Sequence, residues 1–314
     1  MKKTVISTLL LIALLSAPFA LMAEGQQEAG GQTEATASRA EVLQGAVDEH
    51  FSSLSANGSY MIGQEDFIEK VRAGEDMLIL DIRQADDYAE GHIEGAVNVP
   101  WGPALAKSID FLPTDKPVMV YCYTGQTANQ ANALLNFIGV DAKSVKFGWN
   151  LGISKVEGYE DVVSTEAAQF SGKTGIEVNT VLRETFVDYF ESLADVAGTM
   201  YASNIISEEN TKKIVDANDD NVHILSIRRE SDYADGHIAG AQNIPWGDGM
   251  QGQFSSLPAD KKIIVYCYTG QTAGQTVGAL RVLGYDAVSL KGGMGTPANE
   301  PQGWSNNDYP VVSE

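Results

Sequence analysis

The two cysteines of the chain, Cys122 and Cys267, each begin the same six-residue stretch, Cys-Tyr-Thr-Gly-Gln-Thr, directly after a short apolar run. A loop of this length with a central glycine lets successive backbone N–H groups point inward and form an anion-binding nest at the start of a helix. A thiol at the rim of such a nest has its thiolate form favoured. Both cysteines are therefore candidate nucleophiles.

The candidate anion-binding residues are the five that follow each cysteine: Tyr123, Thr124, Gly125, Gln126 and Thr127, and Tyr268, Thr269, Gly270, Gln271 and Thr272. Neither loop contains a lysine or arginine, so an anionic substrate would depend mainly on backbone dipoles.

The default alternative for two cysteines in an oxidising compartment is a disulfide. That bond would require the two loops to meet with Cα atoms within about 7 Å, and we favour two separate thiols.

The sequence around these loops is an internal repeat. Residues 77–83 resemble residues 222–228, and residues 120–127 recur unchanged as residues 265–272. Both matches have the same separation of 145 residues, 122 to 267 and 83 to 228, so no gap is needed between them. A fixed internal period of this size indicates two copies of one domain.

Alternating apolar and helical patterns predict how each copy positions its loop. In the first copy they predict strands over 77–81, 97–99, 118–121 and 144–147 and helices over 86–90 and 127–138; in the second, a helix over 272–283 and a strand over 289–291. We therefore predict an α/β fold with two tandem domains, each a small parallel β-sheet flanked by helices on both faces. Each loop then lies where a strand ends and a helix begins, the usual ligand position in such sheets.

The chain also divides by composition. The N-terminus combines two lysines, an apolar run and small residues, which is typical of an export signal. We predict a signal peptide over 1–23, a flexible low-complexity tether over 24–40, domain 1 with a helical lead-in over 41–163, an interdomain linker over 164–180, and domain 2 with its own lead-in over 181–314. The protein is then periplasmic or secreted, with an uncleaved membrane anchor as the less favoured alternative.

The pattern as a whole resembles a tandem rhodanese, a member of the sulfurtransferase family. The resemblance is carried by Asp-Ile-Arg at 81–83, by Gly-His-Ile-x-Gly-Ala-x-Asn-x-Pro at 91–100, by the cysteine loop after Val-Tyr, and by a glycine turn at Gly148 and at 292–293. It implies that Cys122 and Cys267 accept a sulfane sulfur as a persulfide, stabilised by the loop amides, and pass it on. The related phosphatase branch has a longer loop that typically ends in arginine, so the six-residue loop favours sulfur over phosphate.

Asp81 and Arg83, and Arg228 in the second copy, are candidate supporting residues near the loops. The second copy has Ser226 in place of Asp81, so the two sites are expected to differ. We expect the Asp–Arg pair mainly to tie neighbouring segments together. His92 and His237 are expected to hydrogen-bond to backbone rather than act as bases.

These observations limit the function. A net charge of −21 argues against nucleic acid as a partner, and the histidines and cysteines have no metal-ligand spacing, so we expect no metal and no cofactor. The expected partners are a small sulfur-containing anion or persulfide donor and a thiol or cyanide-like acceptor, with no membrane contact after signal cleavage. The leading hypothesis is an exported sulfurtransferase using thiosulfate, polysulfide or persulfide. The alternative is a non-catalytic module that carries or senses persulfide or binds a partner.

Overall fold

The computed structural model describes residues 39–313. The first set of elements is α1 (39–52), β1 (Met61–Ile62), α2 (Gln64–Arg72), β2 (Leu78–Asp81), α3 (Ala85–Glu90), β3 (His92–Ile93), β4 (Val97–Asn98), α4 (Pro103–Ser108), β5 (Val118–Tyr121), α5 (Gln126–Phe137), β6 (Ala142–Val145) and β7 (Val163–Ser164). The second is α6 (Thr180–Glu191), β8 (Ile205–Ile206), α7 (Glu208–Ala217), β9 (Val222–Ser226), α8 (Glu230–Asp235), β10 (Ala241–Asn243), β11 (Lys262–Tyr266), α9 (Gln271–Val282) and β12 (Ala287–Leu290). The predicted signal peptide and the predicted tether as far as residue 38 lie outside the described residues.

Each set builds one five-stranded sheet, and we call the two sets domain 1 and domain 2. The strand orders are β1-β6-β5-β2-β4 and β8-β12-β11-β9-β10, and all neighbours in both sheets run parallel. Strand β5 is buried along its whole length, as expected for a central strand covered on both faces. The predicted α/β fold, with two tandem domains that each hold a small parallel sheet flanked by helices, is confirmed. Within residues 39–313, no helix combines the length and apolar character that a membrane span requires.

The helix after each cysteine begins one residue earlier than predicted. It covers Gln126–Phe137 rather than 127–138, and in domain 2 it covers Gln271–Val282 rather than 272–283. The reason is the N-cap glycine, which takes the left-handed conformation (φ 89° at Gly125) and turns the chain directly into the helix.

The last strand of each sheet also lies earlier than predicted. It covers Ala142–Val145 rather than 144–147, because Ala142 already pairs with Val118 of β5. In domain 2 it covers Ala287–Leu290 rather than 289–291. The strand over 118–121 is confirmed as predicted, those over 77–81 and 97–99 are one residue shorter, and the helix over 86–90 is one residue longer.

The two domains pack against each other through α5 and α9. A Cβ on Gly274 would lie 2.6 Å from the Gln126 carbonyl oxygen, and one on Gly278 would lie 2.9 Å from Leu134 Cδ2. Only glycine allows the helices to approach this closely. The close contact also buries polar side chains of α5, including Asn129, which a one-sided amphipathic helix would expose.

The two lead-in helices, α1 and α6, each pack on the domain that they do not precede. The Phe51 ring of α1 lies edge-on to Trp246 of domain 2 at 5.5 Å. In the equivalent position, Phe190 of α6 lies edge-on to Trp101 of domain 1, also at 5.5 Å. The helices therefore fasten the domains to one another in a nearly symmetrical way.

Two hydrogen bonds also join each lead-in helix to the domain on which it packs. His50 Nε2 lies 3.1 Å from Gln275 Oε1 in domain 2, and the Tyr189 hydroxyl donates to Gln130 Oε1 in domain 1 at 2.6 Å. Burial lowers the pKa of His50 to about 4, although the Gln275 contact opposes the shift. Burial raises the pKa of Tyr189 to about 12. The two equivalent positions therefore respond to acid differently.

Candidate active site

Both cysteines lie at the carboxyl end of a central strand, immediately before a helix. In domain 1 the chain leaves β5 at Tyr121, passes through Cys122 and enters α5 after Gly125. The second loop repeats this path, and Gly270 is its left-handed N-cap at φ 85°. The structure thus places both predicted loops at the sheet edge where ligands bind in parallel α/β domains.

Backbone N–H groups hold the sulfur atoms. The Gly125 N–H donates to Cys122 Sγ at 3.1 Å, and the Gly270 N–H donates to Cys267 Sγ at the same distance. In domain 1 the Ala128 N–H also lies 3.4 Å from the sulfur. These donors at a helix N-terminus favour a negatively charged sulfur. Both cysteines are free thiols, and their residues are only 2% and 3% exposed.

Only some of the predicted anion-binding residues, 123–127 and 268–272, have a backbone N–H that reaches the sulfur among the described contacts. Of the two predicted sets, those of Gly125 and Gly270 make the hydrogen bond to sulfur. Ala128 was not predicted, because it lies beyond the loop in the first turn of α5. An N-cap glycine directly before a helix is the signal that could have identified this geometry, since it aims first-turn N–H groups at the residue before the turn.

A glycine turn lies against each loop from the end of the last strand. A Cβ on Gly148 would lie 2.4 Å from the Cys122 carbonyl oxygen, and one on Gly293 would lie 2.5 Å from the Cys267 carbonyl oxygen. The next residues, Trp149 and Met294, each donate an N–H to that same carbonyl at 2.7 Å. The predicted glycine turns are therefore structural supports of the cysteine loops.

In domain 1 a buried ion pair lies beside the loop. Arg83 Nη2 is 2.6 Å from Asp81 Oδ2, and it also donates to the Gly91 carbonyl at 2.7 Å. The guanidinium lies 4.0 Å from the centre of the Trp149 ring. Burial opposes the charged guanidinium, but the hydrogen bonds and charge of Asp81 outweigh it and raise the pKa of Arg83. The internal repeat could not predict the stacking of Arg83 on Trp149, because Met294 occupies the equivalent position in domain 2.

Domain 2 lacks this ion pair. Ser226 replaces Asp81, and its hydroxyl only accepts from the Arg228 N–H at 3.4 Å. Arg228 is 5% exposed, and its Nη2 donates to the Gly236 carbonyl. Its Nε is buried and has no hydrogen-bond partner among the described residues. Among the described residues, the two copies therefore differ in that the buried arginine has a carboxylate partner in domain 1 and none in domain 2.

A cleft of about 510 Å³ opens beside the domain 1 loop. Among the described residues, its wall contains three carboxylates, those of Asp87, Glu90 and Glu160, and one cation, the paired Arg83. The Tyr123 hydroxyl donates to Asp87, and burial together with that contact raises the pKa of the phenol. Tyr123 thus forms part of the cleft wall as a neutral side chain.

The remaining candidates have structural contacts. His92 is fully buried, with its ring nitrogens 2.7 Å from the Tyr88 carbonyl and 3.0 Å from the Glu166 carbonyl. His237 is placed similarly, 2.9 Å from the Tyr233 carbonyl. The expected backbone role of both histidines is confirmed. In the part of the chain from 39 to 313, no cluster of three or more His, Cys, Asp or Glu side chains is arranged to hold a metal ion.

The model of the rhodanese-like domain family matches this chain twice, over residues 64–155 and 209–296. The chain belongs to the rhodanese-like domain family. Its two rhodanese domains each contain one of the cysteine loops described above.

Similar proteins of known sequence include sulfurtransferases. The thiosulfate sulfurtransferase GlpE of Pseudomonas putida is 35% identical over 83 residues, covering 26% of this chain and 74% of that protein. A sulfurtransferase of Allochromatium vinosum is 27% identical over 112 residues, covering 35% of this chain and 95% of that protein. The chain spans less than half of the length of other curated relatives, between 38% and 44%. Together with the family match, the sulfurtransferases support sulfur transfer as the general chemistry of the rhodanese domains.

Among solved structures, the rhodanese-related protein of Thermoplasma volcanium is 27% identical. The match covers 35% of this chain and 97% of that chain, with a TM-score of 0.30.

Proposed function

We propose that Cys122 and Cys267 each accept a sulfane sulfur, hold it as a persulfide and pass it to an acceptor. The observation that carries this proposal is the N–H of the N-cap glycine, which lies 3.1 Å from the sulfur in both domains. A thiolate is the nucleophilic form of cysteine, and the helix N-terminus behind this N–H favours it. The same dipoles favour the persulfide anion that replaces the thiolate.

The transfer takes two displacement steps. The cysteine thiolate attacks the outer sulfur of the donor, the new Cys–S–S⁻ bond forms, and the old S–S bond breaks with its electron pair on the leaving group. The leaving group is sulfite from thiosulfate, or a thiolate from a persulfide or polysulfide. An acceptor thiolate or cyanide then attacks the terminal sulfur, and the cysteine leaves as a thiolate again. Both steps are redox-balanced within the donor, the cysteine and the acceptor.

We favour a persulfide over thiosulfate as the donor. Neither loop contains a cation. Within residues 39–313, the cleft beside the domain 1 loop is lined by three carboxylates and by one cation, the paired Arg83. The net charge of −21 adds to the unfavourable field for a dianion. A persulfide group carries one negative charge, so it meets less repulsion from these carboxylates than a dianion does.

We further propose that the protein is exported to the periplasm or secreted, on the basis of the signal-like pattern of residues 1–23. The alternative to enzyme activity is a persulfide carrier or partner-binding module. The low exposure of both thiols favours small donors and acceptors, because a large acceptor would have to reach a nearly buried sulfur.

Turnover assays distinguish these functions. The chain is supplied with thiosulfate, polysulfide or glutathione persulfide, and sulfur delivered to cyanide or to a small thiol is measured. We expect turnover by the wild type and by Cys122→Ser and Cys267→Ser, and none above background by the double variant. Sulfur uptake without turnover would assign the carrier function. No uptake from any donor, with both thiols free by titration, would contradict the proposal.

A further inference from the structure

The side chain of Gln126 extends from the first cysteine loop into domain 2. Its Nε2 donates to Ser289 Oγ at 2.7 Å and to the Leu290 carbonyl at 3.0 Å. Its Oε1 accepts from the Gly292 N–H at 3.3 Å. All three partners lie at the end of β12 and in the glycine turn after it, so the buried amide of Gln126 is satisfied entirely by the opposite domain.

Gln271 makes the reciprocal connection with fewer bonds. Its Oε1 accepts from the Phe147 N–H of domain 1 at 2.8 Å, which is the residue before the Gly148 turn. Its Nε2 donates to Thr269 Oγ1 within its own loop, at 3.1 Å. Gln126 thus has three hydrogen bonds across the boundary and Gln271 has one.

Each glutamine also touches the N-cap glycine of the opposite loop. A Cβ on Gly270 would lie 2.8 Å from Gln126 Cδ, and one on Gly125 would lie 2.7 Å from Gln271 Oε1. These are the two glycines whose N–H groups donate to Cys267 and Cys122. A single glycine therefore lies between each glutamine amide and the cysteine sulfur of the other domain.

The glycine turn gives a second route to the same sulfur. The Gly292 N–H donates to Gln126 Oε1, and the next residue, Gly293, lies against the Cys267 loop. A Cβ placed on Gly293 would be 2.5 Å from the Cys267 carbonyl oxygen and 2.8 Å from the Gly270 nitrogen. Each opposite-domain glutamine thus contacts the cysteine loop and also fixes the turn that lies against that loop.

We propose that Gln126 and Gln271 are positioning residues that act in trans: Gln126 sets the cradle of Cys267, and Gln271 sets the cradle of Cys122. This rests on the proposed function, in which the thiolates are the reacting groups. It means that neither rhodanese domain completes its site alone. Because Gln126 makes three cross-domain hydrogen bonds against one for Gln271, Cys267 depends on its opposite glutamine more strongly than Cys122 does.

Single-cysteine variants test this without any sulfur donor. In the Cys122→Ser background, the rate of Cys267 alkylation by iodoacetamide is measured across the titration range of a thiol, with and without Gln126→Ala. We expect Gln126→Ala to slow alkylation at neutral pH about tenfold and to move the profile to higher pH, because the Gly270 N–H loses its alignment with the sulfur. Gln271→Ala, read on Cys122 in the Cys267→Ser background, should give a smaller effect in the same direction.

The matched control is Gln130→Ala. Gln130 is a buried glutamine one turn further along α5, and it also crosses to domain 2 by donating to the Ser203 carbonyl at 3.1 Å. Within residues 39–313 it has no hydrogen bond to a cysteine loop. It should leave both alkylation profiles in place. Equal effects of Gln130→Ala and Gln126→Ala would mean that Gln126 acts only as a contact between the domains, and they would overturn the proposal.

Hydrogen exchange supplies a second readout on the same variants. Gln126→Ala should speed amide exchange in residues 267–272 and 290–294 while leaving 122–127 unchanged. Faster exchange confined to the variant's own loop, 122–127, would also overturn the proposal. Since neither measurement uses a sulfur donor, a failure of sulfur transfer remains visible as a separate result.

Discussion

The two cysteine sites have the same backbone cradle but different charges around it. In both domains the N-cap glycine donates to sulfur at 3.1 Å, and a glycine turn lies against the cysteine carbonyl. Beyond that, Asp81 and Trp149 surround Arg83 in domain 1, whereas Ser226 and Met294 occupy their positions beside Arg228. The comparison teaches that the backbone positions both thiols alike, while the side chains around them give each domain a different charge environment.

The largest expected effect comes from making domain 1 resemble domain 2. Asp81→Ser removes the carboxylate from a buried arginine, which leaves an unpaired charge in the core. We expect a loss of about 4 kcal/mol in the free energy of unfolding, measured by urea denaturation. Ser226→Ala is the control and should cost about 1 kcal/mol or less, because it removes only a weak contact. Equal costs would show that the Asp–Arg pair contributes nothing to the difference between domains.

The shared cradle can be broken one domain at a time. Gly148→Ala forces a Cβ to within 2.4 Å of the Cys122 carbonyl oxygen, and Gly293→Ala does the same for Cys267. We expect each to cost about 3 kcal/mol and to abolish sulfur uptake at its own cysteine only. Gly139 also has a positive φ, of 85°, but no atom lies within 4 Å of a Cβ placed on it, so Gly139→Ala should cost about 1 kcal/mol and leave uptake intact. Uptake that survives at Cys122 in Gly148→Ala would contradict the role of the turn.

Acid should destabilise the molecule through His50 and not through its counterpart Tyr189. The folded pKa of His50, about 4, lies below its ordinary value of 6.5, so the unfolded chain binds a proton first as the pH falls. Stability is complete above pH 6.5 and declines from there towards pH 4. Between pH 6.5 and about pH 5, His50 should account for a loss of about 2 kcal/mol.

His50→Tyr tests this by giving both lead-in helices a tyrosine at equivalent positions. Urea titrations at several pH values should show a flatter pH dependence for the variant, with little change at neutral pH. An unchanged slope between pH 6.5 and 4 would exclude His50 as the acid-sensitive group.

The smallest effect is expected from the reverse substitution in domain 2. Ser226→Asp supplies a carboxylate to the unpartnered Nε of Arg228. Because burying the new charge offsets most of the attraction, we expect a gain of only about 1 kcal/mol in urea denaturation. A marked loss of stability would mean that domain 2 neutralises Arg228 in another way.

The repeat predicted much of this architecture from sequence. A gap-free match over both cysteine loops predicted two copies of one α/β domain, and the Val-Tyr run before Cys122 placed the thiol at a strand end. The helix predicted after Cys122 is present as α5, and Ala131, Leu134 and Leu135, which lie at helical spacing, are buried in it. These features are local, so periodicity and turn residues suffice to find them.

The contacts between domains could not be predicted in the same way. Asn129 and Gln130 are fully buried because α9 covers them, and the identity of that surface depends on how the domains dock. For the same reason the sequence predicts Gln126 as a residue of the anion-binding loop but does not indicate that its side chain crosses to Ser289. The packing of α1 on domain 2 and of α6 on domain 1 likewise cannot be predicted from the local sequence.

The central claim, that both cysteines accept sulfur, is tested most directly by mass spectrometry of the intact chain after incubation with persulfide or polysulfide and removal of excess donor. The account predicts two added sulfur atoms on the wild type, about 32 Da each, one on Cys122→Ser and Cys267→Ser, and none on the double variant. Peptide mapping should place the remaining sulfur on Cys267 in the first single variant and on Cys122 in the second. Adducts that persist in the double variant, or a wild type with two free thiols and no adduct from any donor, would contradict it.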